Sequence, residues 1–388
     1  MKIYWSTRLR GFLKHISECV DDIEFEQKEQ LYEINNSNTE LKNRIVRSKL
    51  FDIIGLFQVI KAAGKDCDYY ASFNRFLDAD KPYFIYLENP TALYHYALGR
   101  LRYPAGKKKF KKCLEDPNLK YIACMSDACR STFEKVNMPL PDNVGIKTIY
   151  PLVPQNKKVD EDLILKKSYS EVLECLYCVQ GKSFYTKGGR DVLEVVCRLQ
   201  DEGLKIHLTV ITNLEALTSE TTELIKNHKN ISLFDFKFSY DDMERIYSKT
   251  ALLLQPSSAD SFSLTVLEAI KGGCAVIGSN LYAIPEMVEN NANGLLIDPM
   301  YWTFTSDKMP NPDAWGHHKK VRLAEKHSQK YVDDFECALR TLYYDRDKLC
   351  AFSKKSLELA NTKFSEDSIC AQWEEVWDCL KGKNRDEV

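Results

Sequence analysis

The chain alternates short apolar runs with amphipathic stretches over most of its length. Runs of about five apolar residues are typical of buried strands in a parallel sheet. Between many of these runs, apolar residues return every three or four positions, which is the spacing of one helix face. Strands separated by helices predict an α/β fold with parallel sheets. The predicted strands are Lys2–Trp5, Asp68–Phe73, Tyr83–Leu87, Tyr121–Ser126, Leu173–Val179, Ile206–Ile211, Ile231–Phe236, Ala251–Gln255 and Cys274–Ile277.

Helical spacing is clearest in the last part of the chain and recurs between the predicted strands. The last predicted helix, Phe364–Leu380, carries Trp373 and Trp377 four residues apart, so both rings lie on one face. Two polar stretches, Asp21–Arg47 and Tyr301–Gln329, predict a loop with a surface helix and an inserted loop. The other predicted helices are Leu50–Ala63, Asp127–Val136, Ser239–Lys249, a helix over Leu264–Ile270 that ends at Gly272 and Gly273, Tyr331–Tyr344 and Asp347–Leu359.

The length of 388 residues exceeds what one ordinary core accommodates and predicts two domains. A charged stretch, Lys157–Asp162, follows Pro154 and is typical of a linker. We therefore expect a first domain over residues 1–156, a second over residues 168–362 and a final helix within residues 363–388.

The composition is that of a globular protein, with 44% hydrophobic and 28% charged residues. The formal net charge of −2 gives no general reason to expect a nucleic-acid partner. The 13 cysteines are scattered, many within apolar runs, which suits a reducing cytoplasm. The start of the chain has no long apolar run, so we expect neither a signal peptide nor a membrane span. Cys175 and Cys178 form a Cys-x-x-Cys, which leaves open a zinc or redox site.

A lysine run, Lys107–Lys112, stands out against the near-neutral total charge. Such a run is either a solvated face or a region attracted to an anionic surface. Phe110 inside the run, with Leu101 and Tyr103 before it, would supply apolar anchors at a membrane interface. No nucleic-acid motif accompanies the run, so we expect no nucleic-acid partner.

The stretch Leu252–Pro299 carries the most chemistry. A buried strand ends at Gln255, and a polar loop then leads into a helix whose free N–H groups favour an anion. Asp260 and Glu268 lie on either side of this turn, an arrangement that suits a phosphate group joined to a neutral polyol. In the alternative interpretation, Thr265 and Glu268 form a capping box and Glu268 only holds the helix start.

A second loop, which follows the predicted strand Leu173–Val179, combines glycines with cations. Gly181 precedes Lys182, and Lys187 precedes Gly188, directly before a helical stretch. Two cations near a departing diphosphate would stabilise the charge that develops there. Two solvated lysines on a glycine-rich loop are the alternative.

These two stretches resemble the donor-binding half of the GT-B glycosyltransferases, specifically the retaining enzymes of family 4 (glycosyl transferases group 1). Their pattern is Gly-Arg, Lys-Gly, then Glu-x7-Glu, a glycine-rich turn and a Gly-x-Pro-Glu-like loop. Here Lys182 replaces the arginine, Asp260 replaces the first glutamate, and Ser263 and Tyr282-Ala283 replace usual glycines. The positions that match are Gly181, Lys187, Gly188, Glu268, Gly272, Gly273, Pro285 and Glu286.

The resemblance implies a GT-B fold, in which two Rossmann-like domains face a central cleft and the C-terminal helix crosses back to the N-terminal domain. It implies transfer of a sugar from a UDP-sugar or GDP-sugar to a hydroxyl acceptor. That acceptor would be a lipid-linked glycan or a precursor of lipopolysaccharide or surface polysaccharide. We expect no metal or other cofactor, and a location in the cytoplasm, at the inner face of the cell membrane.

The resemblance also implies roles for individual residues. Glu268 would hold the ribose hydroxyls, Asp260 the sugar hydroxyls, and Lys182 and Lys187 the diphosphate. Further donor contacts are expected at Gly181, Gly188, Ser261, Phe262, Ser263, Leu264 and Thr265, and in the first loop at Arg8, or Arg10, and Gly11. Glu88 and Asn89, which end a predicted strand, and His95 would lie on the acceptor side; for His95 an ordinary place in a helix is the alternative.

Two other functions remain open from the sequence. A sugar-nucleotide epimerase shares the two-domain fold and would need no acceptor. A non-catalytic GT-B protein, acting as a partner subunit, would tolerate the departures at Asp260 and Ser263.

Overall fold

A computed structural model describes residues 1–7, 11–17, 23–27, 48–136, 138–180, 183–315 and 328–382. Arg8, Arg10, Gly181, Lys182 and most of the predicted surface helix in Asp21–Arg47 lie outside these ranges. The chain forms two compact units. The first unit comprises Met1–Leu152, Lys308–Pro310 and Glu366–Val388, and the second comprises Val153–Asp307 and Asn311–Ser365.

The first unit is built on a parallel sheet of six strands in the order β2-β1-β4-β6-β7-β8, beside a parallel pair of β3 and β5. The strands are β1 (Lys2–Trp5), β2 (Glu24–Gln27), β3 (Ile60–Ala62), β4 (Tyr69–Phe73), β5 (Leu77–Ala79), β6 (Tyr83–Leu87), β7 (Leu119–Cys124) and β8 (Gly145–Thr148). Its helices are Gly11–Ile16, Lys49–Ile53, Pro104–Leu114, Asp127–Lys135 and the C-terminal Glu366–Leu380, with 3-10 turns at Pro90–Tyr94 and Arg100–Arg102.

The C-terminal helix packs on this sheet through its two tryptophans. The rings of Trp373 and Trp377 are stacked with centroids 5.0 Å apart. Trp373 meets Tyr86 at 5.3 Å and Trp377 meets Phe84 at 5.4 Å, both edge to face. Both tryptophans are buried, so the four-residue spacing reflects core packing.

The predicted helix Leu50–Ala63 is wrong beyond its first turn. The helix covers only Lys49–Ile53, and the chain then turns at Gly55, whose φ is +67°. Glycine adopts this left-handed backbone without a steric cost, which ends the helix. The rest of the predicted helix includes strand β3, so one apolar run supplies two short elements.

The second unit contains a second parallel sheet of six strands, in the order β11-β10-β9-β12-β13-β14. This is the 3-2-1-4-5-6 order of a Rossmann fold. The strands are β9 (Leu173–Cys178), β10 (Ile206–Thr212), β11 (Ile231–Asp235), β12 (Leu252–Gln255), β13 (Ala275–Ser279) and β14 (Gly294–Ile297). The helices are Glu161–Ser168, Gly189–Asp201, Ser219–Asn227, Tyr240–Lys249, Leu264–Lys271, Ile284–Met287, Gln329–Tyr344 and Arg346–Asn361, with a 3-10 turn at Leu214–Ala216.

Strands β9, β12 and β13 are almost completely buried, as their continuous apolar runs predict. The helix Tyr240–Lys249 begins with a capping box, in which the side chains of Ser239 and Asp242 each bond to the other residue's backbone N–H. The two units divide between Leu152 and Val153, and the helix Glu161–Ser168 begins within the stretch that the sequence suggests as a linker. In the described part of the chain, no helix is long and apolar enough to cross a bilayer.

Candidate functional site

The strand order of the second sheet marks one place for a ligand. Strands β9 and β12 are parallel neighbours, and the chain runs from β9 outwards to β10 and β11 before it returns to β12. In sheets of this kind, ligands bind beyond the carboxyl ends of the strands where the order reverses. The loops that begin there after β9 and β12 are the two stretches whose motifs the sequence singled out.

Lys187 and Asp260 bring these two loops together. The Lys187 Nζ lies 2.9 Å from Asp260 Oδ2, and the two side chains are only 23% and 9% exposed. Gln255, the last residue of β12, directs its amide Nε2 to the same oxygen at 3.4 Å. The cation, carboxylate and amide therefore form one cluster at the switch point, although the three residues are up to 73 positions apart in the sequence.

The helix Leu264–Lys271 begins beside this cluster. Ser263 is its N-cap residue but gives no side-chain cap bond, and its backbone is left-handed with φ +69°. This conformation explains why a glycine suits the position, since a side chain there is strained by about 1–2 kcal/mol. The Ser263 hydroxyl is buried and has no partner among the described residues. Together with the first N–H groups of the helix, it forms an anion-binding turn.

The capping-box interpretation of Glu268 is wrong. The helix begins at Leu264, so Thr265 lies within its first turn and is not the cap. The Tyr247 hydroxyl donates a hydrogen bond to Glu268 Oε2 at 2.8 Å. Burial raises the pKa of the Glu268 carboxyl to about 7, and the bond from Tyr247 only partly offsets this. Glu268 also lines a narrow cavity with Tyr240, Met243 and Lys271.

The glycine-rich loop packs directly on the loop that carries Asp260. Gly188 has φ +83°, and a Cβ there would lie 2.6 Å from the Pro256 carbonyl oxygen. The same carbonyl accepts a 2.9 Å hydrogen bond from the Tyr331 hydroxyl, and the Ser258 N–H donates to the Thr186 carbonyl at 3.2 Å. Only glycine fits at position 188 without moving Pro256, so the loop geometry fixes this residue type.

Residues from the predicted inserted loop brace the same region. The Thr303 hydroxyl donates to the Ser258 carbonyl at 2.8 Å, and the Tyr301 N–H donates to the Ser258 hydroxyl at 3.1 Å. Phe304 stacks on Tyr282 with ring centroids 3.9 Å apart. Tyr282 has φ +51°, again at a position where a glycine is usual. The ring stack compensates for the strain of a tyrosine in this backbone.

Several buried polar atoms at the carboxyl edge of this sheet have no partner among the described residues. They are the hydroxyls of Thr212 and Ser279, which end β10 and β13, the Gln255 carbonyl and the Ser263 hydroxyl. Buried polar groups are nearly always hydrogen-bonded, and an exception calls for a cause such as a missing ligand. Four such atoms at one edge indicate that a polar ligand binds there.

The other residues predicted to contact the donor differ in their exposure. Ser261, Leu264 and Thr265 lie in the turn and are partly exposed, whereas the Phe262 side chain is buried. Gly181 and Lys182 lie outside the described residues. Sequence reasoning missed Gln255, Tyr247, Thr212 and Ser279. For Gln255 a signal exists, since it is the polar end of the apolar run Leu252–Gln255.

The residues predicted in the first unit are mostly engaged locally. Asn89 is buried and caps the 3-10 turn through a bond from the Thr91 N–H at 3.1 Å. His95 ends that turn in left-handed backbone, and its Nε2 accepts the Gln58 N–H at 3.0 Å. Glu88 is half-buried at the end of β6 and receives the Asn74 amide at 3.3 Å.

Gly11 begins the first helix and is exposed, and no atom of the described residues lies within 4 Å of a Cβ built there. Its backbone therefore does not demand a glycine. Arg8 falls outside the described residues.

The Cys-x-x-Cys is not a metal or redox pair. Cys175 and Cys178 both lie in β9 and are buried, and residues three apart in a strand point to opposite faces. Burial raises the pKa of both thiols, so neither is a reactive thiolate. Across the described ranges, no group of three or more His, Cys, Asp or Glu side chains is arranged to hold a metal ion.

Comparisons with known proteins bear on the same unit. Residues 167–309 match the sequence model of the family "Glycosyl transferases group 1". This segment includes Lys187, Asp260 and Glu268. A sucrose synthase from Melioribacter roseus is 29% identical over 109 residues, which make up 25% of this chain and 14% of that protein. This chain therefore matches only a small part of the length of that relative.

Two solved structures are similar over nearly the whole chain. HepE from Anabaena, solved in complex with UDP, superposes with a TM-score of 0.62 at 13% identity and covers 97% of this chain and 100% of its own. WaaG, a glycosyltransferase involved in lipopolysaccharide biosynthesis, gives a TM-score of 0.59 at 14% identity, with 98% and 100% covered. At these identities the likeness shows the fold alone.

The predicted α/β fold of the GT-B type, with two Rossmann-like units, is confirmed by these structures. The match of residues 167–309 to the group 1 glycosyltransferase model agrees with the prediction of a glycosyltransferase for the second unit.

Proposed function

We propose that this chain is a retaining glycosyltransferase of the family 4 type. It would move a sugar from a nucleoside diphosphate sugar to a hydroxyl acceptor in the synthesis of a glycan, lipopolysaccharide or surface polysaccharide. The observation that supports this most is the cluster of Lys187, Asp260 and Gln255 beside the start of the helix Leu264–Lys271. It places a cation, an anion-binding turn and hydroxyl-binding groups within one small region.

Each part of the cluster suits one part of such a donor. The diphosphate lies at the helix start, where the N–H groups of Leu264 and Thr265 and the Ser263 hydroxyl point to an anion. Lys187 stabilises the negative charge that develops on the diphosphate as the bond to the sugar breaks. Asp260 accepts hydrogen bonds from sugar hydroxyls, and Glu268 accepts them from the ribose. The UDP bound to HepE favours a uridine donor, with a guanosine donor as the other choice.

Lys182, one position after Gly181, supplies the second cation near the diphosphate, as its place in the sequence motif implies. With two lysines and a helix N-terminus in these roles, the positive potential at the leaving group comes from the protein itself. Glu88 at the end of β6 is the best-placed predicted residue of the first unit for an acceptor. Asn89 and His95 would act there only by holding the turn Pro90–Tyr94.

We also propose that the first unit contacts an anionic membrane, which would place the protein at the inner face of the cell membrane. Lys107, Lys108, Lys111 and Lys112 are all exposed on the helix Pro104–Leu114. Phe110 is not an anchor, because it is fully buried against Phe57, Phe76 and Tyr94. The apolar contribution comes instead from the neighbouring segment, whose exposed side chains are Leu50 (63%), Ile53 (47%), Ile54 (45%) and Leu56 (43%).

One contact joins that segment to the basic helix and a second joins it to the turn Arg100–Arg102 just before the helix. A Cβ at Gly55 would lie 2.3 Å from the Gly106 nitrogen, and Asp52 pairs with the buried Arg100 at 3.1 Å. The apolar and basic surfaces therefore form one face, whose lysines contribute about 1 kcal/mol each near an anionic surface.

Co-sedimentation with anionic vesicles should decrease as salt is added, and it should fall when all four exposed lysines are changed to glutamate. Equal sedimentation with neutral vesicles contradicts this proposal.

The proposed reaction is tested by incubating the purified chain with a panel of UDP-sugars and GDP-sugars, with and without EDTA. We expect sugar transfer or slow hydrolysis of one donor, and activity that survives EDTA. Nuclear magnetic resonance of the product should show the same anomeric configuration as the donor. Epimerised donor without transfer identifies an epimerase, and donor binding without any turnover identifies a non-catalytic partner subunit; either result contradicts the proposal.

A further inference from the structure

Gln255 is an unusual residue for its position. It is completely buried at the end of β12, where the three preceding strand residues are all leucines. Burying an amide costs free energy unless its polar atoms are hydrogen-bonded. Its Nε2 reaches Asp260 Oδ2 at 3.4 Å, but its Oε1 has no partner among the described residues. The side chain is therefore half satisfied in the free protein.

Asp260 is half satisfied in the same way. Its Oδ2 receives both Lys187, at 2.9 Å, and the Gln255 amide. Within the described ranges, no hydrogen bond reaches Oδ1. The two bonds on one oxygen fix the direction of the carboxylate, which is one methylene shorter than a glutamate would be. They leave two acceptor atoms, Asp260 Oδ1 and Gln255 Oε1, in the same small region without donors.

We infer that Gln255 positions Asp260, and that its carbonyl and the free Asp260 oxygen form a two-acceptor subsite for hydroxyl groups of the donor sugar. This inference rests on the proposed function. The ligand it fits is a sugar with two neighbouring free hydroxyls, because each hydroxyl can donate to one of the two acceptors. A sugar that is deoxygenated or acylated at the first place leaves the buried Gln255 oxygen unpaired, and one altered at the second place loses a hydrogen bond to the Asp260 carboxylate; either change disfavours binding.

Lys187 connects this subsite to the phosphate site, because it bonds to Asp260 Oδ2 and is also the cation proposed for the diphosphate. Gln255 contacts Asp260 but has no part in the phosphate site, which is formed by Lys187, the Ser263 hydroxyl and the helix N-terminus. Removing the Gln255 amide should therefore weaken contacts to the sugar and leave contacts to the nucleoside diphosphate intact.

Gln255→Leu tests the inference, since leucine matches the preceding strand residues and removes both polar atoms. Calorimetry with the full chain should show that the affinity for the nucleotide sugar falls by at least ~5-fold, the scale of one or two neutral hydrogen bonds. The affinity for the bare nucleoside diphosphate should stay within about twofold. Thermal stability should be unchanged or higher, because an unsatisfied buried amide is lost.

Ser168→Ala is the matched control. Ser168 is also fully buried, with a hydroxyl that has no partner among the described residues, but it ends the helix Glu161–Ser168, far in sequence from the strand ends that form the site. We expect this variant to bind the nucleotide sugar as the wild type does. Weakened binding in Ser168→Ala would show that any buried polar deletion disturbs the unit, which would overturn the specific role of Gln255.

A second binding experiment uses nucleotide sugars that lack one hydroxyl. The wild type should lose affinity for the analogue that lacks one of the two paired hydroxyls, while Gln255→Leu should lose little further, because the lost bond is the same one. Equal loss of nucleotide sugar and bare nucleotide in Gln255→Leu, or no loss of either, would overturn the inference. A wild type that binds no nucleotide sugar at all would instead overturn the proposed function, and the inference with it.

Discussion

The carboxyl edges of the two parallel sheets have the same architecture, but their polar residues differ in how fully they are hydrogen-bonded within the protein. In the first unit, Asn89 and His95 bond to nearby backbone, and Asn74 bonds to Glu88 through both its amide atoms. In the second unit, Gln255, Thr212, Ser279 and Ser263 each leave a buried polar atom without a partner in the part of the chain that the structure describes. The first edge has exceptions at the end of β1, where the Trp5 Nε1 and the Ser6 hydroxyl are also buried without a partner among the described residues.

Polar residues that stabilise the fold can therefore be distinguished from residues that bind a ligand by whether their hydrogen bonds are already made within the protein. In both units, a position shortly after a strand predicts a site residue, so Asn89 and His95 are predicted in the same way as Asp260. Only the hydrogen-bond partners seen in the structure distinguish these residues. The second edge keeps unused bonding capacity, a strained Ser263 and an anion-binding helix start, whereas the first uses most of its polar groups within the fold.

The largest expected effect is that of Lys187→Ala on turnover. Removing the cation beside the leaving diphosphate should lower turnover at saturating donor by at least ~10²-fold. Lys226→Ala, which removes an exposed lysine on the helix Ser219–Asn227, is the control and should remain fully active. A Lys187→Ala variant with near-normal turnover would show that the second edge is not the donor site.

Gly188→Ala should destabilise the second unit by more than about 2 kcal/mol, because it combines left-handed backbone with a clash. The new Cβ would lie 2.6 Å from the Pro256 carbonyl oxygen. Gly203→Ala is the matched control, since Gly203 has φ +93° but nothing within 4 Å of its Cβ. Thermal unfolding should therefore show a clearly larger loss at position 188, and equal losses would mean that the two loops are not packed as described.

Glu268→Gln should weaken donor binding by at least ~10-fold at pH 8, since a carboxylate that accepts two ribose hydroxyls is lost. In the wild type the free Glu268 carboxyl has its pKa raised to about 7 by burial. Below that pH it must first lose a proton, so donor affinity should fall by up to ~10-fold per pH unit. Binding measured from pH 5.5 to 8.5 checks this, and a flat profile would contradict it.

The raised pKa of Glu268 also determines how the stability of the protein changes with pH. The fold favours the neutral carboxyl, so the stability that Glu268 contributes is fully present below its ordinary pKa of 4.5 and is lost as the pH rises through about 7. The unfolding temperature of Glu268→Gln, relative to the wild type, should therefore be higher at pH 8 than at pH 5. A capping residue would show no such difference.

The smallest expected effect belongs to the first edge. Asn89→Ala removes the cap of the turn Pro90–Tyr94 and should cost about 1 kcal/mol of stability. Donor affinity should not change, because the Asn89 side chain is engaged by its own backbone. Weaker donor binding at unchanged stability would make Asn89 a ligand contact and remove the contrast between the two edges.

Much of the fold could be predicted from the sequence, because buried parallel strands are short and continuously apolar. The segment after Leu50 could not, since one left-handed glycine at position 55 decides where the helix ends. The prediction of Phe110 as a membrane anchor is wrong because the surrounding lysines mask the apolar face by which this helix packs on the core. The capping interpretation of Glu268 failed because the helix begins at Leu264 and Tyr247 takes up the carboxylate, facts that only the three-dimensional structure shows.

The acidic and basic residues of the donor site could be picked out as candidates, because charged side chains after buried strands are conspicuous. The ion pair between Lys187 and Asp260 could not be predicted, since the two residues are distant in sequence and the family resemblance assigns them to different parts of the donor. The neutral members were missed for a different reason. Thr212 and Ser279 are ordinary strand residues until their hydroxyls are found buried without a partner.

The most direct test of the donor site is calorimetric titration of Asp260→Asn with a nucleotide sugar and with the bare nucleoside diphosphate. We expect the variant to lose affinity for the nucleotide sugar by at least ~10-fold, because sugar hydroxyls lose a charged acceptor. Affinity for the bare nucleoside diphosphate should be kept or increased, since Lys187 is released from its 2.9 Å ion pair. Unchanged affinity for both ligands would contradict the assignment of this edge as the donor site.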